Sequence, residues 1–168
     1  MTTTIRAARP DDADVVLGLF DDAIAWLAAA GLSGQWGSVP WSEQSASADR
    51  VRREFATDGA WIAERPGLGV CGGMVLGSAM PYVQASTVSE TYVRVLVGSR
   101  VDGARGVGRE LLAAAERHAR EAGSRRLRLD CYAGGSGALV DFYRSCGYVL
   151  VETLDLEGWP AAVLVRDL

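Results

Sequence analysis

The chain is poor in the residues that carry metal, redox and nucleophile chemistry. Its 168 residues include one histidine, His118, and three widely spaced cysteines, Cys71, Cys131 and Cys146, with no Cys-x-x-Cys pair. That set offers no metal-ligand spacing and no disulfide framework, so no metal is expected. The cysteines read as small buried hydrophobes in a reducing compartment. Positive charge is not in excess: 17 basic against 21 acidic residues leave a net charge of -4 and a pI of about 5.0. Bulk affinity for nucleic acid needs a basic footprint and is therefore not expected. A local basic site and a cationic substrate both remain compatible with this balance. The opening MTTTIRAARPDD lacks the apolar core of a signal peptide. The uncharged run from Pro66 to Ser89 is broken by Gly, Ser, Thr, Gln and Pro. It falls short of the roughly 20 mainly apolar residues of a membrane span and reads as a buried strand followed by a loop. These features point to the cytoplasm, with no membrane or nucleic-acid partner. Repeats, heptads and low-complexity linkers are absent as well.

What is plentiful is glycine, at 20 residues against an average near 7%. Many tight turns or close backbone approaches follow. The length suits one domain over residues 1–168. Ile5–Ala7 reads as a first strand. A helix opened by Pro10-Asp11-Asp12 carries Val16, Leu19, Phe20, Ala23 and Leu27 at helical spacing and stops at Gly31. After a loop with Trp36 and Trp41, Ser42 is expected to cap a second helix, with Ala48, Val51 and Phe55 on its inner face. Strands follow at Ala60–Glu64, Val70–Ser78 and Thr91–Val97, then a helix from Val107 to Ala122 stopped by Gly123. A strand at Arg125–Tyr132, a short helix at Ala138–Cys146 stopped by Gly147, and a hairpin around Glu157-Gly158-Trp159-Pro160 complete the chain. Strand and helix alternate only in the middle, which predicts a mixed α/β sheet rather than a doubly wound parallel one.

Chemistry concentrates in Arg105-Gly106-Val107-Gly108-Arg109, between a strand and a helix. Amides at a helix start lack internal partners, the helix dipole adds positive potential, and glycines let a ligand approach the backbone. Together these make a phosphate cradle. Arg100, Arg105 and Arg109 gather in this loop of an otherwise acidic protein. Taken alone, Gly-x-Gly reads equally well as a tight turn under close helix–sheet packing. A dinucleotide fingerprint does not fit, because Leu111 holds the third glycine position. Without Gly-Lys-Ser/Thr there is no P-loop. A second segment, Phe142-Tyr143-Arg144-Ser145-Cys146-Gly147-Tyr148, ends the short helix. By itself Tyr143 reads as a core aromatic.

The two segments together resemble the GNAT superfamily of acyl-CoA-dependent N-acyltransferases. Its cofactor motif, Gln/Arg-x-x-Gly-x-Gly/Ala, is matched by Gly103-Ala104-Arg105-Gly106-Val107-Gly108. Its later motif, Phe/Leu-Tyr-x-x-x-Gly-Phe/Tyr, is matched by Phe142–Tyr148. Gly103 stands where the family prefers Gln or Arg, and Ser136 where many members carry Asn. The resemblance implies a mostly antiparallel sheet of about seven strands with about four helices. It implies transfer of an acetyl group from acetyl-CoA to a primary amine of a small molecule or peptide. The CoA diphosphate would lie on the amides of Arg105, Gly106, Val107, Gly108 and Arg109. The pantetheine arm would pair with Leu96 and Val97, and Ser136 would add a cofactor contact. Tyr143 matches the general acid that protonates the leaving thiolate.

An amine arrives mostly charged and must lose a proton, directly or through water. Glu90 is the first candidate for that base, because it shares a strand face with Tyr92, Arg94 and Leu96. A solvated acid at a strand start is the plain alternative. Glu64 is the second candidate, and His118 reads as a surface or edge residue. Trp36, Trp41, Tyr82 and Trp159 either line the acceptor pocket or pack under their own loops. Dimers are common in the family, so a homodimer is one expectation. Two other readings stay open: a non-catalytic acyl-CoA-binding module of the same fold, and a nucleotide binder using the same turn.

Overall fold

The computed structural model describes residues 2–168. Its elements run β1 (Thr4–Ala7), α1 (Asp12–Ala29), α2 (Ser45–Phe55), β2 (Ala60–Arg65), β3 (Gly69–Gly77), β4 (Glu90–Gly98), α3 (Val107–Glu121), β5 (Arg126–Tyr132), α4 (Ala138–Ser145), β6 (Val149–Leu156) and β7 (Trp159–Asp167). The strands form a mixed sheet in the order β1-β2-β3-β4-β5-β7-β6. Pairing is antiparallel at β1/β2, β2/β3, β5/β7 and β6/β7 and parallel at β4/β5. This is the mixed sheet that the element order implied, with the mostly antiparallel pairing that the resemblance implied. The chain divides into two compact units. One holds the residues up to Val75 together with Val95–Leu111; the other holds Leu76–Arg94 and Leu112–Leu168.

In the first unit, Val16 and Phe20 of α1 and Ala48, Val51 and Phe55 of α2 are buried with Ile62, Val75 and Val97. Two glycines in succession on β3 make this packing close, because neighbouring strand residues face opposite sides. A Cβ on Gly73 would lie 3.0 Å from the Phe55 ring and 3.2 Å from Val16. On Gly72 it would lie 3.0 Å from Leu111 and 3.1 Å from Val107. The bare strand therefore admits α1 and α2 on one face and the first turn of α3 on the other.

Helix ends follow the expected signals in part. Gly31 takes φ 72°, and Leu32 N–H donates back to the Leu27 carbonyl at 2.8 Å, so the glycine stop of α1 is a Schellman motif. At its start, Asp11 makes no side-chain cap; Asp12 instead accepts the Arg9 amide at 2.6 Å. Ser42 does not cap α2. It lies in a 3-10 turn at Trp41–Glu43, closed when the Gln44 amide donates to the Trp41 carbonyl, and α2 begins at Ser45.

In the second unit, Tyr92, Val83 and Val163 form a small core. Glu157 and Gly158, at φ 55° and 87°, make a two-residue turn between β6 and β7, since such hairpins need positive φ at both positions. Trp159 and Pro160, expected in the turn, belong to β7. The β4/β5 ladder runs from Glu90↔Arg126 to Val93↔Leu129. Among the described residues, no helix is long and apolar enough to cross a membrane.

The guanidinium of Arg6 ties β1 to the start of α1 and to β2, reaching Asp12 at 2.7 Å and Glu64 at 2.6 Å. Its hydrogen bonds are the main cause holding both carboxyls below their ordinary range. A carboxyl whose folded pKa is depressed stabilises the fold above its unfolded pKa, near 4, and loses that contribution as pH falls through the folded value. The stability difference between the wild type and Arg6→Met, read by urea unfolding, should therefore be large at pH 7 and shrink toward pH 2.5.

Candidate functional site

The glycine turn belongs to the first unit. Residues 102–104 form a 3-10 turn, and α3 starts at Val107. The Arg105 amide donates to the Asp102 carbonyl at 3.2 Å. Those of Arg109 and Glu110 donate to the Gly106 carbonyl at 3.0 and 3.2 Å. Among the described residues of this unit, the amides of Gly106, Val107 and Gly108 find no backbone acceptor, as expected for the opening of a helix. Gly106 takes φ 87° and is exposed. Val107 is buried and acts as a wedge. Its methyls would lie 3.1 Å from a Cβ on Gly72 and 2.8 Å from one on Gly98. The middle residue of Gly-Val-Gly thus pins the turn onto β3 and the end of β4, while the glycines on either side keep their backbone bare. Leu96 is half-buried and Val97 buried at that strand end.

Beneath the turn lies Arg65, the last residue of β2, which is only 7% exposed. Its guanidinium donates to the Gly103 carbonyl at 2.6 Å, the Arg105 carbonyl at 3.1 Å, Glu110 at 3.1 Å and the Thr3 hydroxyl at 2.8 Å. The strand expected over Ala60–Glu64 runs one residue further and takes in Arg65. Position 103 also finds its explanation here: a Cβ on Gly103 would lie 3.0 Å from Leu68, so Leu68 fills the space that a longer side chain would take. Arg100, grouped with Arg105 and Arg109 by sequence, stacks 4.2 Å over the Trp26 ring of α1.

Tyr143 lies in the second unit, at the end of α4. The Tyr148 amide donates to its carbonyl at 3.1 Å, the Gly147 amide donates to the Arg144 carbonyl at 2.9 Å, and Gly147 takes φ 90°. The Tyr143 and Tyr148 rings meet edge to face at 6.1 Å. This is a Schellman stop with its usual apolar contact, so the Tyr-x-x-x-Gly-Tyr spacing sets where the Tyr143 ring sits. Tyr143 is 6% exposed. Burial, with Cys131 and Asp130 adding, holds its hydroxyl protonated well above the ordinary phenol range. Ser136 is exposed in the loop before α4, between Gly135 and Gly137, both at positive φ.

Glu90 is not a solvated acid. Its Oε1 accepts from Arg128 at 2.7 Å, and its Oε2 is buried without a partner. Arg128, 6% exposed, also donates to the Gln84 carbonyl at 2.7 Å and lies 5.5 Å over the Tyr92 ring. Next along β5, Asp130 accepts a short hydrogen bond from the buried Tyr92 hydroxyl and one at 3.1 Å from Tyr82. Arg128 and Asp130 were invisible as site residues in the sequence because an Arg-x-Asp strand pattern is ordinary. Glu64 is committed to Arg6. His118 lies 3.5 Å from Glu121 on the same helix, matching its reading as an edge residue. Trp36 and Trp41 pack on Phe20, at 5.2 and 4.6 Å between centroids, under their own loop. Trp159 packs 5.3 Å from Tyr132. Cys71 and Cys131 are buried. Burial pushes both thiols up, Cys131 to about 12 with help from Asp130. Among the described residues, no group of three or more His, Cys, Asp or Glu could hold a metal.

A helix whose unpaired first-turn amides sit on two strands through glycines, in a mixed seven-stranded sheet, defines an acyl-CoA-type N-acyltransferase fold. Residues 24–148 match the family described as Acetyltransferase (GNAT) family, and the chain belongs to it. It is therefore an N-acetyltransferase of a family that uses acetyl-CoA and acts on amine acceptors. Solved structures agree on the fold. A GNAT-family acetyltransferase from Listeria monocytogenes aligns with TM-score 0.72 at 17% identity, over 99% of this chain and 95% of that one. A ribosomal-protein-alanine N-acetyltransferase from Brucella melitensis aligns with TM-score 0.66 at 24% identity, over 98% and 99%. A protein from Salmonella typhimurium, solved with its cofactor acetyl-CoA, aligns with TM-score 0.68 at 16% identity, over 99% and 94%. No curated protein sequence matches.

The wedge makes a direct prediction. In Gly98→Ala the new methyl would lie 2.8 Å from Val107, an overpacking that costs typically about 1–3 kcal/mol. Urea unfolding should show that loss.

Proposed function

We propose that this enzyme transfers the acetyl group of acetyl-CoA to a primary amine of a small molecule or peptide. The observation that carries the reading is the set of unpaired amides at Gly106, Val107 and Gly108, held at the positive end of α3 with Arg105 and Arg109 beside them. Two adjacent phosphates are the ligand such a set suits best, since fixed N–H donors and the helix dipole act on the same charge. The backbone of Leu96 and Val97 is the proposed partner for the pantetheine arm, which would add to β4 as a strand adds to a sheet. Ser136 is proposed as a further cofactor contact from its exposed loop.

For the chemistry, the amine nitrogen attacks the thioester carbonyl and a tetrahedral oxyanion forms. The carbon–sulfur bond then breaks, and the thiolate takes a proton. Tyr143 is proposed as that proton donor. A phenol held neutral by burial carries its proton at every physiological pH, which the role requires. Glu90 is proposed as the acceptor of the ammonium proton, through the oxygen that Arg128 leaves without a partner. Because that oxygen is buried, a water must carry the proton to it. Asp130 already accepts a phenol on each carboxylate oxygen.

The test is a coupled assay of free thiol released from acetyl-CoA over a panel of amines, with wild type and Tyr143→Phe. Turnover with at least one amine is expected. The substitution should lower kcat by about 10²–10⁴-fold, the usual worth of a general acid, and leave the KM for acetyl-CoA nearly unchanged. A melting-temperature shift with CoA but no turnover on any amine would mark a binding module instead, and no shift with CoA would sink the cofactor reading.

A further inference from the structure

We infer that Arg65 is a positioning residue that aims the Gly106 amide at an anion by gripping the opposite side of the same peptide plane. The inference rests on the cofactor reading only for the identity of the anion. A trans peptide is planar, with its carbonyl and its N–H pointing in opposite directions. The carbonyl of Arg105 and the N–H of Gly106 belong to one such plane, and the carbonyl of Gly103 and the N–H of Ala104 to another. Arg65 holds both carbonyls from the buried side, at 3.1 and 2.6 Å. The Gly106 N–H must then point away from Arg65, toward the exposed face of the turn.

Without this grip little would choose between the two orientations of the plane. Gly106 has no Cβ and already sits at φ 87°, with nothing within 4 Å of where a Cβ would be. Glycine accepts either sign of φ at little cost, so a flip that presents the Arg105 carbonyl to the ligand is sterically open. A carbonyl in place of an N–H would repel a phosphate.

The second partner of Arg65 strengthens the case. Glu110 lies in the first turn of α3, where a carboxylate competes with any anion for the helix dipole. One of its oxygens accepts from Arg65 at 3.1 Å, and the other is buried without a partner. Arg65 thus sets the peptide planes and also cancels the negative charge closest in sequence to the cradle. Nη1 takes both carbonyls, Nη2 takes the carboxylate and Nε takes the Thr3 hydroxyl, so every nitrogen of the planar fork is used. All 17 basic side chains of this protein are arginines, so the choice of arginine is informative only because the fork is fully used here.

The test uses the full chain, ¹⁵N-labelled, titrated separately with inorganic pyrophosphate and with CoA while the amide signals of Gly106, Val107 and Gly108 are followed. In the wild type the Gly106 signal should shift with pyrophosphate. In Arg65→Lys, which keeps a charge but has one nitrogen on a shorter stem where Nη1 serves the two carbonyls and Nη2 serves Glu110, the dissociation constant should rise at least tenfold. Glu110→Gln breaks the same buried ion pair but leaves the carbonyl grip intact, and it should bind within threefold of the wild type or more tightly. An Arg65→Lys variant that titrates like the wild type overturns the inference. So does a Glu110→Gln variant that weakens as much as Arg65→Lys, since the loss would then come from loosened packing. A wild-type turn that ignores pyrophosphate overturns it too. A turn that binds pyrophosphate but ignores CoA leaves the grip standing and removes the cofactor reading.

Discussion

The site depends on how closely the first turn of α3 can approach the strands beneath it. Val107 reaches that distance only because Gly72 and Gly98 offer no side chains, and Leu111 follows it down onto Gly72. Those contacts place the bare backbone of Gly106 at the surface, with nothing within 4 Å of where its Cβ would be. Glycine therefore works twice here: below, it lets the helix sit low, and above, it lets a ligand sit close. The high glycine content is in this sense a property of the site as much as of the loops.

Much of the fold was legible because its signals are local. Helical spacing at Val16, Phe20, Ala23 and Leu27, the stop at Gly31, and the alternation along Thr91–Val97 each depend on a few neighbouring residues. The signals at helix starts misled. Ser42 looked like a cap, but the Gln44 amide closes a tighter turn onto Trp41 before α2 begins. Asp11 and Asp12 looked interchangeable, until Arg6 selected Asp12.

The candidate site divides along the same line. The Gly-x-Gly turn and the Tyr143–Tyr148 segment announce themselves, since each is a short stretch in which geometry forces the residue type. The Schellman bonds at Tyr143, Gly147 and Tyr148 show why that spacing is rigid even before any chemistry is asked of Tyr143. Arg65, Arg128 and Asp130 carry no such mark. Their roles come from carbonyls, phenols and carboxylates dozens of residues away, and an arginine at the end of a strand looks like any other. Glu90 was legible as a carboxylate on the correct strand, but its burial against Arg128 was not.

The burial of Cys71 and Cys131 has a consequence for any protein that handles thioesters. A thiolate exchanges acyl groups with a thioester without help, and so drains the donor onto the enzyme itself. A thiol with its pKa pushed up to about 12 by burial stays protonated at neutral pH and is a poor nucleophile. By keeping Cys131 protonated and enclosed, the fold silences a competing nucleophile and leaves the acyl group for the amine.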